Sequence, residues 1–254
     1  MKRPRHQPGQ PFICQDRGEV SLHFAMATVQ SRMRVAAPDK LVLDYTRSMM
    51  AFLLFAPEPA HIVMVGLGGG SLAKYCHAKL PHTRFTALEI SPEVIAMREL
   101  FSIPPDDERL RIVCTDGAEW VRNNPASCDV LMLDGFDAQG LPPALCSQAF
   151  FDDCAAALQP GGVLVSNIWA KDTLREAIID RLQRSFDGAV LTLLAEDGEN
   201  TIALASRLAA PPSAATLRER ARQLVDLHPV DLDASAAKLA QALADASAKA
   251  AFLA

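Results

Sequence analysis

The stretch that most constrains this chain is Val65-Gly66-Leu67-Gly68-Gly69-Gly70. It follows the apolar run Ile62-Val63-Met64-Val65 and precedes a helical pattern with Leu72, Tyr75, Cys76 and Leu80 on one face. A strand that stops in glycines and turns into a helix lets backbone approach a ligand closely, and it offers that ligand the free N–H groups of the helix N-terminus. The rhythm then repeats. Apolar strands at 84–88, 110–113, 129–133 and 163–167 alternate with helical segments beginning at Pro92, Ala118, Phe150 and Thr173, the one from Phe150 to Leu158 closed by Pro160-Gly161-Gly162. Near-continuously apolar strands between helices predict a parallel α/β sheet covered on both faces. Residues 190–195 and 201–205, around Asp197-Gly198, predict an antiparallel pair that closes it.

Either side of this unit the pattern changes. Residues 12–43 read as short β segments, with a turn at Asp16-Arg17-Gly18 and a stretch from 27 to 35, before a helix that runs to Phe55 and ends at Pro57 and Pro59. After the break Ala209-Ala210-Pro211-Pro212 come two Ala-rich amphipathic helices, one with Leu217, Ala221, Leu224 and Val225 as its stripe, the other with Leu232, Ala236, Leu239 and Leu243. We therefore divide the chain into a β head with its linking helix (1–56), a Rossmann-like sheet domain (57–208) and a C-terminal helical extension (209–254), the last packing on the sheet or on a partner subunit.

Composition narrows the functions. Residues 1–50 carry eight Lys/Arg against four acids, whereas the whole chain has a net charge of −5, so a basic head sits on an acidic body. That head would suit an anionic ligand or a second subunit, or simply a solvated face. Bulk charge of this sign and 6% aromatic residues argue against a nucleic-acid binder. No run of 18 apolar residues exists, and Met1 to Gln10 has no apolar core of a signal peptide, so no membrane role and a cytoplasmic location are expected. The six Cys form no CxxC pair and the His residues do not cluster with them, which argues against a metal site.

Three acids stand at the ends of the next strands. Glu89 lies 19 positions beyond Gly70, where a carboxylate accepts hydrogen bonds from ribose hydroxyls. Asp116-Gly117 follows the third strand, where Asp116 can accept from an adenine amino group or cap the helix after it. Asp134 closes the fourth. A sheet that ends in an antiparallel pair lacks the second mononucleotide-binding half of NAD enzymes. The pattern is that of the class I S-adenosylmethionine-dependent transferases: mostly parallel, antiparallel at the last strand.

At this point a narrower likeness emerges. Val65 to Gly70, Ala87-Leu88-Glu89-Ile90-Ser91-Pro92-Glu93-Val94, Thr115-Asp116-Gly117-Ala118-Glu119-Trp120 and Cys128 to Asp137 resemble motifs of the spermidine synthase (polyamine aminopropyltransferase) family. So does Leu158-Gln159-Pro160-Gly161-Gly162, and the head resembles that family's small N-terminal domain. The likeness implies an aminopropyl-type transfer from a sulfonium adenosyl donor to a small amine, with decarboxylated S-adenosylmethionine or S-adenosylmethionine as co-substrate, no tightly bound cofactor, and a homodimer. By position it implies Asp134 and Tyr45 as catalytic residues. It implies Gln30, Gly66, Gly68, Gly70, Glu89, Asp116 and Gly117 as donor-binding residues, and Asp137 and Arg47 as acceptor-side residues.

Three departures accompany the likeness. Ser71 stands where the family has an Asp that holds the donor's ammonium, Arg47 stands where it has an acid or His, and Gly135-Phe136 replace a Ser pair. A cation beside a cationic amine is costly in a closed site. Arg47 suits an anionic acceptor if it faces the site, or pairs with Asp44 if it does not. Two other readings therefore stay open: methyl transfer from S-adenosylmethionine to a small, anionic acceptor, and a non-catalytic nucleoside-binding or scaffold protein.

Overall fold

The computed structural model describes residues 10–25, 29–137, 140–208 and 211–253. Three of the head's basic residues (Lys2, Arg3 and Arg5), the reading at residues 27–28 and the Ala209-Ala210 part of the break lie outside them.

The head is a three-stranded antiparallel meander: β1 (Phe12–Asp16), β2 (Glu19–His23) and β3 (Ser31–Arg34). Asp16 pairs with Glu19, so the hairpin turns on Arg17-Gly18, both at positive φ. A short helix, α1 (Asp44–Met49), continues as a 3-10 turn, Met50–Leu54, every residue of which is buried.

The body is a seven-stranded sheet: β4 (His61–Val65), β5 (Arg84–Glu89), β6 (Leu110–Cys114), β7 (Cys128–Leu133), β8 (Leu158–Trp169), β9 (Val190–Leu194) and β10 (Asn200–Ser206). Its order is β6-β5-β4-β7-β8-β10-β9. Its four pairings among β4, β5, β6, β7 and β8 are parallel, whereas β10 runs antiparallel to both β8 and β9. The connecting helices are α2 (Ser71–Lys79), α3 (Pro92–Ala96), α4 (Gly117–Asn123), α5 (Gln148–Ala157) and α6 (Arg175–Ser185). The chain winds outward from β4 to β6, then returns to the other side of β4 as β7. The crevice between β4 and β7 is the switch point where ligands of such sheets bind.

Alternation along each strand feeds two cores. Ile62, Met64, Val130, Met132, Val163, Val165, Ile202 and Leu204 pack with Met50–Leu54 on the head side. Val63, Val65, Leu131, Leu133, Leu164 and Ala203 pack with α4, α5 and α6 on the other. The extension, α7 (Ala214–Leu224) and α8 (Leu232–Leu253), joins the head-side core through Leu217, Ala221, Leu224, Leu232, Ala236 and Leu239. Arg220 donates to the carbonyls of Leu54 and Phe55 at 2.7 and 2.9 Å, and Tyr75 and His228 share a 3.1 Å hydrogen bond.

Some local readings shift. Val225 caps α7 and is exposed, so it does not belong to the buried stripe. The Pro160-Gly161-Gly162 segment does not close a helix but lies inside β8, where the register jumps from Cys128↔Leu158 to Val130↔Val163 and the irregularity absorbs it.

Candidate active site

A cavity of about 630 Å³ opens at the carboxyl ends of β4, β5, β7 and β8, between the sheet and the head. Its end at the glycine-rich turn is mostly backbone. Gly66 N–H donates to Leu88 O at 2.8 Å and Asp134 N–H to Val65 O at 3.0 Å, so the turn leaves β4 locked to both neighbouring strands. Gly66 adopts φ +95°, and a Cβ there would be driven into the Asp134 carbonyl. Only glycine fits such a place. Glu89, at the end of β5, is 9% exposed and accepts from Leu67 N–H at 3.0 Å and Ser91 N–H at 2.9 Å, one on each oxygen. Burial pushes its carboxyl up and the backbone amides pull against that. Asp116 Oδ1 accepts from Ala118 and Glu119 N–H at 2.8 and 3.2 Å, so it caps α4 while lining the cleft: both roles considered for it are compatible.

Opposite, Asp134 leaves β7 with a different set of partners. Tyr45 O–H donates to Oδ2 at 3.2 Å, and Asn167 Nδ2 donates to Oδ1 at 2.9 Å. Burial raises the Asp134 carboxyl to about 6, and these two donors hold it from rising further. Burial and the adjacent carboxylate also keep the Tyr45 phenol protonated, well above its usual range. Beyond lie Asp137, whose N–H donates to Gly140 O at 2.9 Å, and Phe136 stacked on Trp169 with centroids 5.3 Å apart. Among the described residues, Glu89, Asp116, Asp134, Asp137, Asp172, Asp197 and Glu199 line the cavity against one basic residue, Lys171, itself 3.0 Å from Glu199. A cleft so biased attracts cations and repels anions. Among the described residues, no group of three or more His, Cys, Asp or Glu is placed to hold a metal ion.

The profile of the spermine/spermidine synthase domain matches residues 42–193, more than half the chain. The chain belongs to that family. Relatives named polyamine aminopropyltransferase include one from Neisseria meningitidis (serogroup B, strain MC58), 43% identical over 187 residues that cover 73% of this chain and 71% of the relative. Another, from Chromobacterium violaceum, is 40% identical over 208 residues, covering 80% and 79%. A solved structure described as a probable spermidine synthase from Corynebacterium glutamicum shares the fold, with a TM-score of 0.70 at 22% identity over 87% of this chain and 85% of that one. Within the family match lie Tyr45, Glu89, Asp116, Asp134 and Asp137; Gln30 precedes it.

The cavity brings together Gln30, Tyr45, Gly66, Gly68, Glu89, Asp116, Gly117, Asp134 and Asp137. Gln30 presents its carbonyl 3.4 Å from Tyr45 O–H. Two residues do not join them. Gly70 sits at φ +65° as the left-handed entry to α2, and a Cβ there would meet Ile103, not the cleft. Arg47 is the larger correction. Residues two apart on a helix point about 200° away from each other, so with Tyr45 aimed into the cleft Arg47 faces out. It is bonded to Asp44, to Glu196 at 3.3 Å and to the Val42 carbonyl at 2.9 Å. Ser71 does line the cleft, its hydroxyl 3.4 Å from that of Ser31. Asn167 and Asn200 join the site without belonging to any motif named above. The available signal was two amides adjoining strands otherwise apolar.

Proposed function

We propose that this chain transfers an aminopropyl group from decarboxylated S-adenosylmethionine to an amine. The observation that carries the reading is Asp134, fixed by Tyr45 and Asn167 at the switch point and facing the glycine-rich turn in an acid-lined cleft. The donor's adenosyl part would lie along Gly66 to Gly68, its ribose at Glu89 and its adenine toward Asp116 and Gly117. The acceptor would lie toward Asp134, Asp137 and the Phe136–Trp169 pair.

The chemistry is a displacement. The acceptor nitrogen's lone pair forms the new C–N bond as the C–S bond breaks. The bonding electrons pass to sulfur, and methylthioadenosine leaves as a neutral thioether. An alkyl ammonium has a pKa of about 10.4 and must lose a proton first. Burial in the cleft lowers that value while raising the carboxyl of Asp134, so desolvation narrows the gap from both sides. Asp134 then takes the proton or holds the amine with its lone pair on the sulfonium carbon. Because Asp134 must be ionised to accept, kcat/KM falls as pH drops through about 6.

Ser71 supports a second reading. It is neutral where the resembling motif places an acid for the donor's ammonium, which lowers the penalty for the carboxylate of intact S-adenosylmethionine and favours methyl transfer. The two separate cleanly by product. Purified protein incubated with each donor and a panel of diamines and longer polyamines should give methylthioadenosine and an elongated amine from the decarboxylated donor. S-adenosylhomocysteine from the intact donor would favour methyl transfer, and donor binding without either product would favour a binding protein. No helix among the described residues is long and apolar enough to cross a membrane. A cytoplasmic homodimer remains part of this proposal, its oligomeric state to be checked by light scattering.

A further inference from the structure

Two buried amides in the cleft have no part in the displacement itself. Asn167 lies on β8 and Asn200 begins β10, its antiparallel neighbour. Val163 and Val165 on β8, and Ile202 and Leu204 on β10, belong to the head-side core, and alternation puts Asn167 and Asn200 on that same face. An apolar residue at either position would extend the core. An amide there has lost its water and must find partners in the protein. Asn167 and Asn200 are 3% and 7% exposed, and their bonds run in one direction. Asn200 Nδ2 donates to Asn167 Oδ1 at 2.8 Å, and Asn167 Nδ2 donates to Asp134 Oδ1 at 2.9 Å. Turning the Asn167 amide over would set its NH₂ against that of Asn200 and its oxygen against the carboxylate, two repulsions in place of two bonds.

We propose that Asn200 is a positioning residue for the transfer: by occupying the Asn167 oxygen it keeps an N–H on Asp134, so that the carboxylate stays ionised and aimed at the acceptor nitrogen. This rests on the role proposed above for Asp134. The other titratable groups sharing the cleft are Tyr45 from α1, Asp137 from the same loop, Lys171 and Asp172 after β8, Asp197 and Glu199 from the β9–β10 turn, and Glu89 and Asp116 at the donor end. Tyr45 contributes the second donor to Asp134, and Lys171 is engaged by Glu199. Asn167 is thus a neutral donor on a carboxyl surrounded by acids.

Asn200→Leu and Asn167→Leu keep the branched side-chain skeleton, with bulkier methyl ends, and remove the bonds. The pH profile of kcat/KM and the ¹³C titration of the Asp134 carboxyl, assigned with Asp134→Asn, read the outcome in each and in the double variant. In Asn200→Leu the acid limb and the carboxyl titration move up by about one pH unit, a roughly tenfold loss below the limb, with kcat falling more than KM rises. Asn167→Leu moves them further. The double variant matches Asn167→Leu alone, because Asn200 acts through Asn167. Asn200→Ala serves if leucine does not fold, with the same upward shift expected. An unmoved limb and titration in a folded Asn200 variant overturn the proposal, and so does a double-variant shift equal to the sum of the singles. If the unsubstituted protein does not transfer aminopropyl groups, the activity reading fails while the carboxyl titration still decides the relay.

Discussion

The two ends of the cleft are built by different means. At the donor end the ligand-facing surface is the turn between β4 and α2, and its acid, Glu89, spends both oxygens on the N–H groups of Leu67 and Ser91. At the acceptor end the contacts are between side chains far apart in sequence: Tyr45 with Asp134 across 89 positions, and Asp134 with Asn167 across 33. A site made of backbone tolerates changes of side-chain chemistry but not an added Cβ. A site made of side chains loses its function with one functional group while the fold survives.

Asp134→Asn tests the second half of that contrast and carries the largest expected effect. Removing a general base typically costs about 10²–10⁴-fold in rate, whereas donor affinity should change little, since we place the donor along the turn. Stability should move the opposite way. The carboxyl titrates at about 6 in the fold against about 3.9 in an unfolded chain. Its ionisation therefore costs the fold nothing below the unfolded value, and the full cost is present above the folded one. Replacing it with Asn should raise stability at pH 7.5 by about 1–2 kcal/mol, after allowing for screening in the open cleft, and give no gain below pH 4. Steady-state rates, donor calorimetry and thermal melts at both pH values check all three parts.

Gly66→Ala tests the first half. A left-handed φ costs an L-residue about 1–2 kcal/mol, and pressing a methyl into packed backbone about 1–3 kcal/mol more. Donor binding and stability should fall together, with Tm lower by several degrees, in contrast to the separation expected for Asp134→Asn. Retained donor affinity in a destabilised protein would show that the turn is scaffold and not binding surface.

The same contrast explains what could be read from the sequence. The turn, Glu89 and Asp116 each sit at the end of an apolar run, where local pattern fixes both the element and the residue's place at its tip. The pairing of Tyr45 with Asp134 came from likeness to a family, since no local signal links residues so distant. Asn167 and Asn200 had neither: one is the polar end of a strand and the other resembles the edge of the Asp197-Gly198 turn until the register of β8 and β10 brings them together. Arg47 was misplaced because motif spacing was carried over without the helix's rotation. Leu158 and the Pro160-Gly161-Gly162 segment were misread because a register shift is a property of the pair of strands, not of either sequence.

Ser71→Asp bears on the donor end alone and should give a smaller change. A carboxylate beside the donor's ammonium in a partly wet cleft is worth about 1 kcal/mol, or roughly fivefold in affinity. Calorimetry should show the decarboxylated donor tightening and intact S-adenosylmethionine gaining less, because its own carboxylate is repelled. Equal gains would mean that the carboxylate end of the tail does not reach Ser71.

Arg47→Ala should have the smallest effect on catalysis. The guanidinium is bonded to Asp44, Glu196 and the carbonyls of Leu41 and Val42, and it points away from the cavity. Removing it deletes a tie between α1 and the β9–β10 turn, so stability should fall by about 0.5–1.5 kcal/mol, and kcat/KM for an amine should stay within about twofold at saturating stability. The measurement gains force when an anionic acceptor is run beside the amine. A cleft carrying seven acidic residues against Lys171 should refuse the anion with or without Arg47. Turnover of an anion that disappears in Arg47→Ala would mean that α1 rotates when substrate binds, bringing Arg47 to the acceptor end and turning Tyr45 off Asp134; the two residues cannot face the cleft together, because the helix sets them about 200° apart.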